Sequence, residues 1–242
     1  MAPSSERTSP ERPGFDQYAS GYESYLNQSL SATGEDSAFF AQGRVRWLAD
    51  CLVRLGIQPA TVLDFGCGTG STASRLLAEL RCASVIGVDS SPDIIKHAQR
   101  AYQTDQIHFR LLREFRPPGS LDCAYSNGVF HHIPIEDRAG ALRSIRAALR
   151  PGGVFAFWEN NPWNPGTQYV MSRCAFDEDA IKISPVEARR MLREVGFETL
   201  RTDYLFFFPK SFSALRPLEV LLRKIPLGGQ YQVLCRKTRD AE

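Results

Sequence analysis

Between residues 61 and 158, short apolar runs alternate with longer stretches whose apolar residues recur at helical spacing. Runs of this length bounded by turn residues are typical of strands, and the stretches between them have the length of crossover helices. Five runs are predicted to be strands: Thr61–Phe65, Ser84–Val88, Ile107–Leu111, Leu121–Ser126 and Val154–Trp158. Alternating strands and helices form βαβ units, so the pattern predicts a doubly wound parallel sheet with helices on both faces.

The flanking sequence predicts further elements and a single domain over residues 15–242. Residues 1–14, rich in Ser, Pro, Arg and Glu, are typical of a disordered tail. Neither a repeat nor a low-complexity linker follows this tail. The other predicted elements are a helix starting near Phe15, helices over Ser37–Leu55 and Ser184–Val195, strands over Phe197–Phe208 and Gln230–Lys237, and a helical Phe212–Ile225 between those strands.

Composition excludes several classes of protein. The chain has 29 Lys and Arg against 27 Asp and Glu, so no strong field favours unspecific binding of nucleic acid. Since no apolar run approaches a membrane span or a secretory signal, we expect a cytoplasmic protein. The six cysteines lack paired zinc spacing. Of the four histidines only His131 and His132 are adjacent, and neighbouring side chains point apart, so no metal site is expected.

Three alternating glycines follow the first predicted strand directly. Gly66, Gly68 and Gly70 permit positive φ and let a ligand approach the backbone closely. Such a loop alone is equally typical of a tight turn between strand and helix. The second strand, however, ends at Asp89, where a carboxylate can accept hydrogen bonds from ribose hydroxyls. Loop and acid together therefore predict a nucleoside ligand.

Asp64, just before this loop, indicates which kind of nucleoside. The spacing G-x-G-x-G differs from the dinucleotide pattern, and no Gly-Lys-Ser/Thr of a phosphate-binding loop is present. A carboxylate would repel a phosphate but attract a ligand that carries an ammonium group.

Four motifs, in order along the chain, resemble those of a known enzyme family. VLDFGCGTG, VIGVDSS, DCAYSNGVFHHI and LRPGGVFAFWE resemble the successive motifs of class I S-adenosylmethionine-dependent methyltransferases, nearest to the ubiquinone/menaquinone C-methyltransferase-like branch of small-molecule enzymes. The resemblance covers about residues 37–160. It implies a Rossmann-like sheet of seven strands, mostly parallel, with an antiparallel last strand, and S-adenosyl-L-methionine as cofactor. The residues it implies around that cofactor are Asp64, Gly66, Cys67, Gly68, Gly70, Asp89, Ser90 and Asn127.

One departure concerns the adenine. Many relatives have Gly-Asp-Ala after the third strand, whereas this chain has Leu111-Leu112-Arg113, which leaves adenine resting on Leu112. The N-terminal helix within residues 15–36, with Tyr18 and Tyr22, is similar to a lid over the cofactor, although aromatic residues at helical spacing more often pack in a core.

The methyl acceptor is expected beyond the fourth and fifth strands. His131, His132 and Glu159 are the candidate catalytic groups, since each could act as a base or bind the acceptor. Ordinary packing explains each of the three about as well. Segments 160–183 and 209–229 are predicted to be insertions that shape the acceptor pocket. Because both contain many apolar residues, the acceptor is expected to be hydrophobic.

The prediction is transfer of a methyl group to a hydrophobic or ring-containing small molecule, such as a natural-product or lipid-linked intermediate. Two alternatives stay open. One is methylation of Lys or Arg in a protein, for which Asp177, Glu178 and Asp179 are the only acidic cluster near the predicted site. The other is a regulatory module that binds the cofactor without catalysis. Nucleic acid is not an expected substrate. Apolar residues flanked by Arg216, Arg223 and Lys224 suggest a transient contact with a membrane surface. The chain is expected to be a monomer or a homodimer.

Overall fold

The computed structural model describes residues 22–174, 177 and 179–238, and these residues contain one seven-stranded sheet. The strand order is β3-β2-β1-β4-β5-β7-β6. The strands are β1 (Thr61–Phe65), β2 (Ser84–Asp89), β3 (Ile107–Leu111), β4 (Leu121–Asn127), β5 (Leu149–Asn160), β6 (Phe197–Leu205) and β7 (Gln230–Lys237). Strands β1 to β5 pair in parallel, while β7 runs antiparallel to both β5 and β6. The predicted mixed sheet with an antiparallel last strand is confirmed.

The described residues form eight α-helices: α1 (Tyr22–Leu30), α2 (Ser37–Arg54), α3 (Ser71–Leu80), α4 (Pro92–Tyr102), α5 (Ile135–Ala148), α6 (Pro165–Met171), α7 (Pro185–Glu194) and α8 (Glu219–Leu222). Helices α3, α4 and α5 connect β1 to β2, β2 to β3 and β4 to β5, whereas a short 3-10 turn (Leu112–Glu114) leads from β3 to β4. Two of the starts follow the sequence directly. Ser91 accepts a hydrogen bond from the backbone N–H of Ile94, and Ser184 accepts one from Glu187. These serine caps satisfy N–H groups that have no partner inside the helix.

The core lies on both faces of the sheet. Along β5, Val154, Ala156 and Trp158 pack into one buried cluster, while Phe155 and Phe157 pack into the other. A strand that is apolar on both faces must be covered on both faces, which is the arrangement expected for a doubly wound sheet.

Three predicted bounds differ from the structure. Strand β5 runs from Leu149 to Asn160, so it is longer at both ends than the predicted Val154–Trp158. Strand β6 ends at Leu205, because Phe206 adopts a left-handed φ of 63° that strand pairing does not accommodate. The predicted helix over 212–225 is a kinked 3-10 helix (Lys210–Leu218) followed by one turn of α8.

Some predictions fall outside the described residues, namely the disordered tail 1–14 and the start of the N-terminal helix with Tyr18. In the part that is described, no helix combines the length and apolar character needed to cross a membrane. All six cysteines are buried.

Packing around β5 predicts a large cost for truncating its central side chain. Phe157 is fully buried, whereas Phe212 in the 3-10 helix is 57% exposed. Phe157→Ala should lower the free energy of unfolding by about 3–5 kcal/mol through lost burial and the cavity left behind. Phe212→Ala, the matched control, should stay within about 0.5 kcal/mol. Urea unfolding followed by fluorescence measures both, and equal losses would contradict the assigned core.

Candidate active site

The loop between β1 and α3 needs its glycines for two different reasons. Gly66, Gly68 and Gly70 have φ of 73°, 53° and 87°. A Cβ on Gly66 would lie 2.2 Å from Val129, and one on Gly70 would lie 2.8 Å from Phe109, so both sites exclude a side chain by packing. A Cβ on Gly68 would meet nothing within 4 Å. Gly68 therefore exposes bare backbone to open space, where a ligand can approach it closely.

Asp64 lies one residue before the end of β1 and is 2% exposed. Its Oδ2 has no hydrogen-bond partner among the described residues. Burial raises the pKa of its carboxyl to about 7, with the nearby Asp89 acting in the same direction and Arg44 opposing. An orphaned carboxylate oxygen beside an open glycine loop is suited to a ligand ammonium group.

Arg44, on α2, belongs to the site, although none of the sequence motifs contains it. Its Nε donates to Tyr125 Oη at 3.1 Å and its Nη1 donates to Gln230 Oε1 at 2.8 Å. The residue is 7% exposed, and its charge acts on Asp64. The available signal was its position: Arg44 lies on the same helical stripe as Leu48 and Cys51, where a charged residue is uncommon unless it binds something.

Asp89 ends β2 beside the same loop, as predicted. Its Oδ2 accepts a hydrogen bond from the Gly68 N–H at 3.0 Å, and its Oδ1 accepts one from the Ser91 N–H at 3.1 Å. The carboxylate is half-buried. Ser90, the neighbouring candidate, is exposed.

The other residues expected near the cofactor lie around this edge in different environments. Cys67 is buried, and burial raises the pKa of its thiol well above the usual value. Leu112 is half-buried in a 3-10 turn after β3. Asn127 ends β4, and its buried Oδ1 has no hydrogen-bond partner in the described part of the chain. Tyr18 lies outside the described residues, and Tyr22 opens α1.

His131 and Glu159 form a buried pair behind the end of β4. Glu159 Oε2 lies 2.5 Å from His131 Nδ1, and its Oε1 accepts hydrogen bonds from the backbone N–H groups of Phe130 and His131. Burial alone would lower the pKa of His131, but attraction by Glu159 and Asp177 raises it to about 10. Both carboxylate oxygens of Glu159 are thus occupied by His131 and by backbone N–H groups. Glu159 does not line the neighbouring cavity.

His132 lies beside this pair rather than pointing away from it. The two imidazole rings are 4.0 Å apart between centroids, and Asp177 Oδ1 lies 3.3 Å from His131 Nε2 and 3.6 Å from His132 Nε2. Burial and the His131 charge lower the pKa of His132 to about 4. The expectation that adjacent histidines diverge is wrong here, because both sit in a tight 3-10 turn (Phe130–His132).

A cavity of about 510 Å³ opens at this edge of the sheet. Helix α1, the start of α2, the ends of β4 and β5, α6 and the segment after β6 all contribute to its wall. The predicted pocket-forming segments 160–183 and 209–229 are therefore both represented. The lining includes the aromatic residues Phe39, Phe40, Phe206, Phe207 and Phe208 and the polar residues Arg44, Asn127, His131, His132 and Asp177.

Residues 63–155 match the family model of a methyltransferase domain. Similar sequences include a trans-aconitate 2-methyltransferase from Azoarcus sp. (strain BH72), 36% identical over 118 residues, which cover 48% of this chain and 46% of that protein. The namesake enzyme of Escherichia coli O157:H7 is 28% identical over 141 residues, or 58% of this chain and 55% of the other. This chain thus spans about half the length of the relatives it matches.

Solved structures share the fold at low identity. A DhpI–SAH complex superposes with a TM-score of 0.60 at 20% identity, covering 93% of this chain and 94% of that one. An S-adenosylmethionine-dependent methyltransferase from Mesorhizobium loti gives 0.56 at 21%, covering 80% and 98%. The [4+2]-cyclase SpnF gives 0.55 at 16%, covering 81% and 82%. These likenesses show the fold alone.

The sheet order and the glycine loop with its two flanking carboxylates are the features expected of a nucleoside-binding protein of the doubly wound α/β class. Over residues 63–155 the chain is similar to a methyltransferase domain, in agreement with the resemblance that its motifs carry. S-adenosylmethionine is the cofactor that this resemblance implies. The orphaned Asp64 Oδ2 and the open space at Gly68 fit its aminoacyl group.

Asp64 should lower stability while it serves binding. The pKa of the Asp64 carboxyl is near 4 in the unfolded chain and is raised to about 7 in the folded one. The contribution of this group to the free energy of unfolding is therefore fully present below pH 4 and is lost as the pH rises through 7. Asp64→Asn should therefore raise the Tm of the ligand-free chain by several degrees at pH 8 and change it little at pH 4. The same variant should weaken binding of S-adenosylmethionine at least tenfold. Calorimetry measures both the Tm and the binding affinity. A variant that loses Tm at pH 8 as well as affinity would contradict this role.

Proposed function

We propose that this chain transfers a methyl group from S-adenosylmethionine to a small hydrophobic or ring-containing acceptor held in the cavity. The observation that carries the proposal is that Arg44 links the cavity to the carboxylate at the end of β1. Arg44 and Asn127 line the cavity, and Arg44 also acts on Asp64 at the end of β1. Cofactor and acceptor would thus share one edge of the sheet, as direct transfer between them requires.

Two buried charges complement the zwitterionic end of the cofactor. Asp64 offers a carboxylate to the ammonium group, and Arg44 offers a guanidinium to the carboxylate. Arg44 supports this assignment because its hydrogen-bond partners are the neutral side chains of Tyr125 and Gln230. Asp89 and Ser90 would face the ribose, and Leu112 the adenine. Tyr18 and Tyr22 stay predictions for the lid.

The cavity wall supports a hydrophobic acceptor. Phe206 packs edge-on against Phe40, with ring centroids 4.9 Å apart, and Glu219 Oε1 accepts hydrogen bonds from the backbone N–H groups of Phe207 and Phe208. This carboxylate holds the aromatic segment against the cavity. The polar groups of the lining would orient a heteroatom of the acceptor.

Positioning supplies most of the rate in this proposal. The cofactor brings an activated methyl group on a sulfonium, and alignment of reactants can lower a barrier by about 7–11 kcal/mol. We assign Glu159 as a positioning residue, since its oxygens hold His131 and two backbone N–H groups. His131 and His132 face the cavity and would contact the acceptor.

The alternatives receive less support. An acidic groove for a Lys or Arg side chain would need exposed carboxylates, yet the Asp177 side chain is only 12% exposed and faces the histidines, and Glu178 lies outside the described residues. Membrane-surface contact stays a prediction supported by exposed apolar side chains between Phe212 and Leu227. A cytoplasmic location, monomer or homodimer, and an acceptor that is not nucleic acid complete the proposal.

Transfer itself is tested with methyl-labelled S-adenosylmethionine, the full chain and a metabolite extract. We expect label in a small organic product, and Phe206→Ala should reduce product formation while leaving cofactor affinity within twofold. Phe212→Ala serves as the exposed control. Label in polypeptide would instead favour protein methylation, and tight cofactor binding without turnover would favour a regulatory module.

The ribose assignment predicts the effect of Asp89→Ala. Loss of charge-assisted hydrogen bonds should weaken binding of S-adenosylmethionine by about 1.5–3 kcal/mol, roughly 10- to 150-fold. Asp93→Ala, which removes an exposed carboxylate paired with Lys96 on α4, should leave the affinity unchanged. Titration calorimetry distinguishes the two, and unchanged affinity in a folded Asp89→Ala protein would refute the assignment.

A further inference from the structure

The polar end of the cavity has the composition of a metal site. His131, His132 and Asp177 each present one ligand atom, and the three atoms lie within 4.8 Å of one another. All three residues line the cavity. Two imidazoles and a carboxylate with open positions form a common ligand set for divalent transition metals.

The distances suit a small cation. A tetrahedral ion with bonds of about 2.1 Å holds its ligand atoms roughly 3.4 Å apart. Asp177 Oδ1 lies 3.3 Å from one imidazole Nε2 and 3.6 Å from the other. Only the separation between the two imidazole nitrogens, which is at most 4.8 Å, has to shorten to complete the set, by about 1.4 Å at most.

A second observation is independent of the cluster itself. His131 is 3% exposed, yet its Nε2 has no hydrogen-bond partner among the residues that the structure describes. Its polar neighbour is Asp177 Oδ1, which lies 3.3 Å away and attracts the charged ring without good hydrogen-bond geometry. A buried ring nitrogen is costly to leave without a well-formed hydrogen bond, and a bound cation would satisfy it.

Glu159 supplies the outer support that such sites require. Its carboxylate contacts His131 Nδ1 at 2.5 Å and is itself held by two backbone N–H groups. A carboxylate on the far nitrogen fixes the ring and directs Nε2 to the metal. Glu159 and Asp177 also place two negative charges beside His131, which a divalent cation would neutralise.

From this geometry we propose that His131, His132 and Asp177 bind a divalent transition-metal cation of the zinc type. Its remaining coordination positions face the cavity. If the proposed function holds, the cation would bind an anionic oxygen of the acceptor, a carboxylate or phenolate, and so orient that end of the molecule. The metal site itself does not depend on methyl transfer.

The test uses the full chain, stripped with a chelator and titrated with Zn²⁺ and, separately, with Co²⁺. We expect one equivalent of Zn²⁺ to bind with release of protons, a rise in Tm, and the visible absorption of four- or five-coordinate Co²⁺. Asp177→Asn and His132→Ala should each weaken Zn²⁺ binding at least 100-fold. Glu159→Gln should weaken it about 10- to 100-fold.

His97→Ala, which removes an exposed histidine from α4, is the matched control and should bind Zn²⁺ as the unmodified chain does. Binding well below one equivalent, or equal affinity in folded Asp177→Asn and His132→Ala proteins, would overturn the proposal. Affinity for S-adenosylmethionine should be the same with and without Zn²⁺. Failure of methyl transfer with intact Zn²⁺ binding would therefore count against the proposed function alone.

Discussion

The buried carboxylate of Asp64 is the constraint around which this edge of the sheet is organised. A charge enclosed at a strand end costs several kcal/mol unless something compensates it. Here the compensation is incomplete, since Arg44 contributes only through its field and Oδ2 has no hydrogen-bond partner among the described residues. Buried polar groups without a partner are typical of functional sites, where a bound ligand supplies the missing hydrogen bond or opposite charge.

Strand order explains why this constraint produces a two-part site. Chain connections from β1 and from β4 leave in opposite directions along the sheet, which opens a crevice between them. Asp64 and the bare backbone of Gly68 occupy one side of that crevice, and Asn127 begins the other. The same fold serves the [4+2]-cyclase SpnF, so the chemistry must be argued from these side chains rather than from the sheet.

Much of the architecture was predictable because it depends on local pattern. Strands such as Thr61–Phe65 and Ile107–Leu111 are short apolar runs whose bounds are set by neighbouring turn residues, and the structure has them at the same positions. The segment after β6 was less predictable. Its course depends on the left-handed Phe206 and on hydrogen bonds from Phe207 and Phe208 to Glu219, and these form only when distant residues pack.

The site shows the same division. The residues of the glycine loop and Asp89 lie in contiguous motifs, so their positions could be read in order. Arg44 carried a weaker signal, a charge on an apolar helical stripe. The approach of Asp177 to His131 and His132 had none, because more than forty residues separate them and only the tertiary fold brings them together.

We expect the carboxylate of Asp64 and the guanidinium of Arg44 to hold the aminoacyl group of the cofactor. Titration calorimetry of the full chain with S-adenosylhomocysteine and with 5′-methylthioadenosine, which lacks that group, measures their contribution. Methylthioadenosine should bind at least 100-fold more weakly. Equal affinity for the two nucleosides would show that these two side chains do not hold the group.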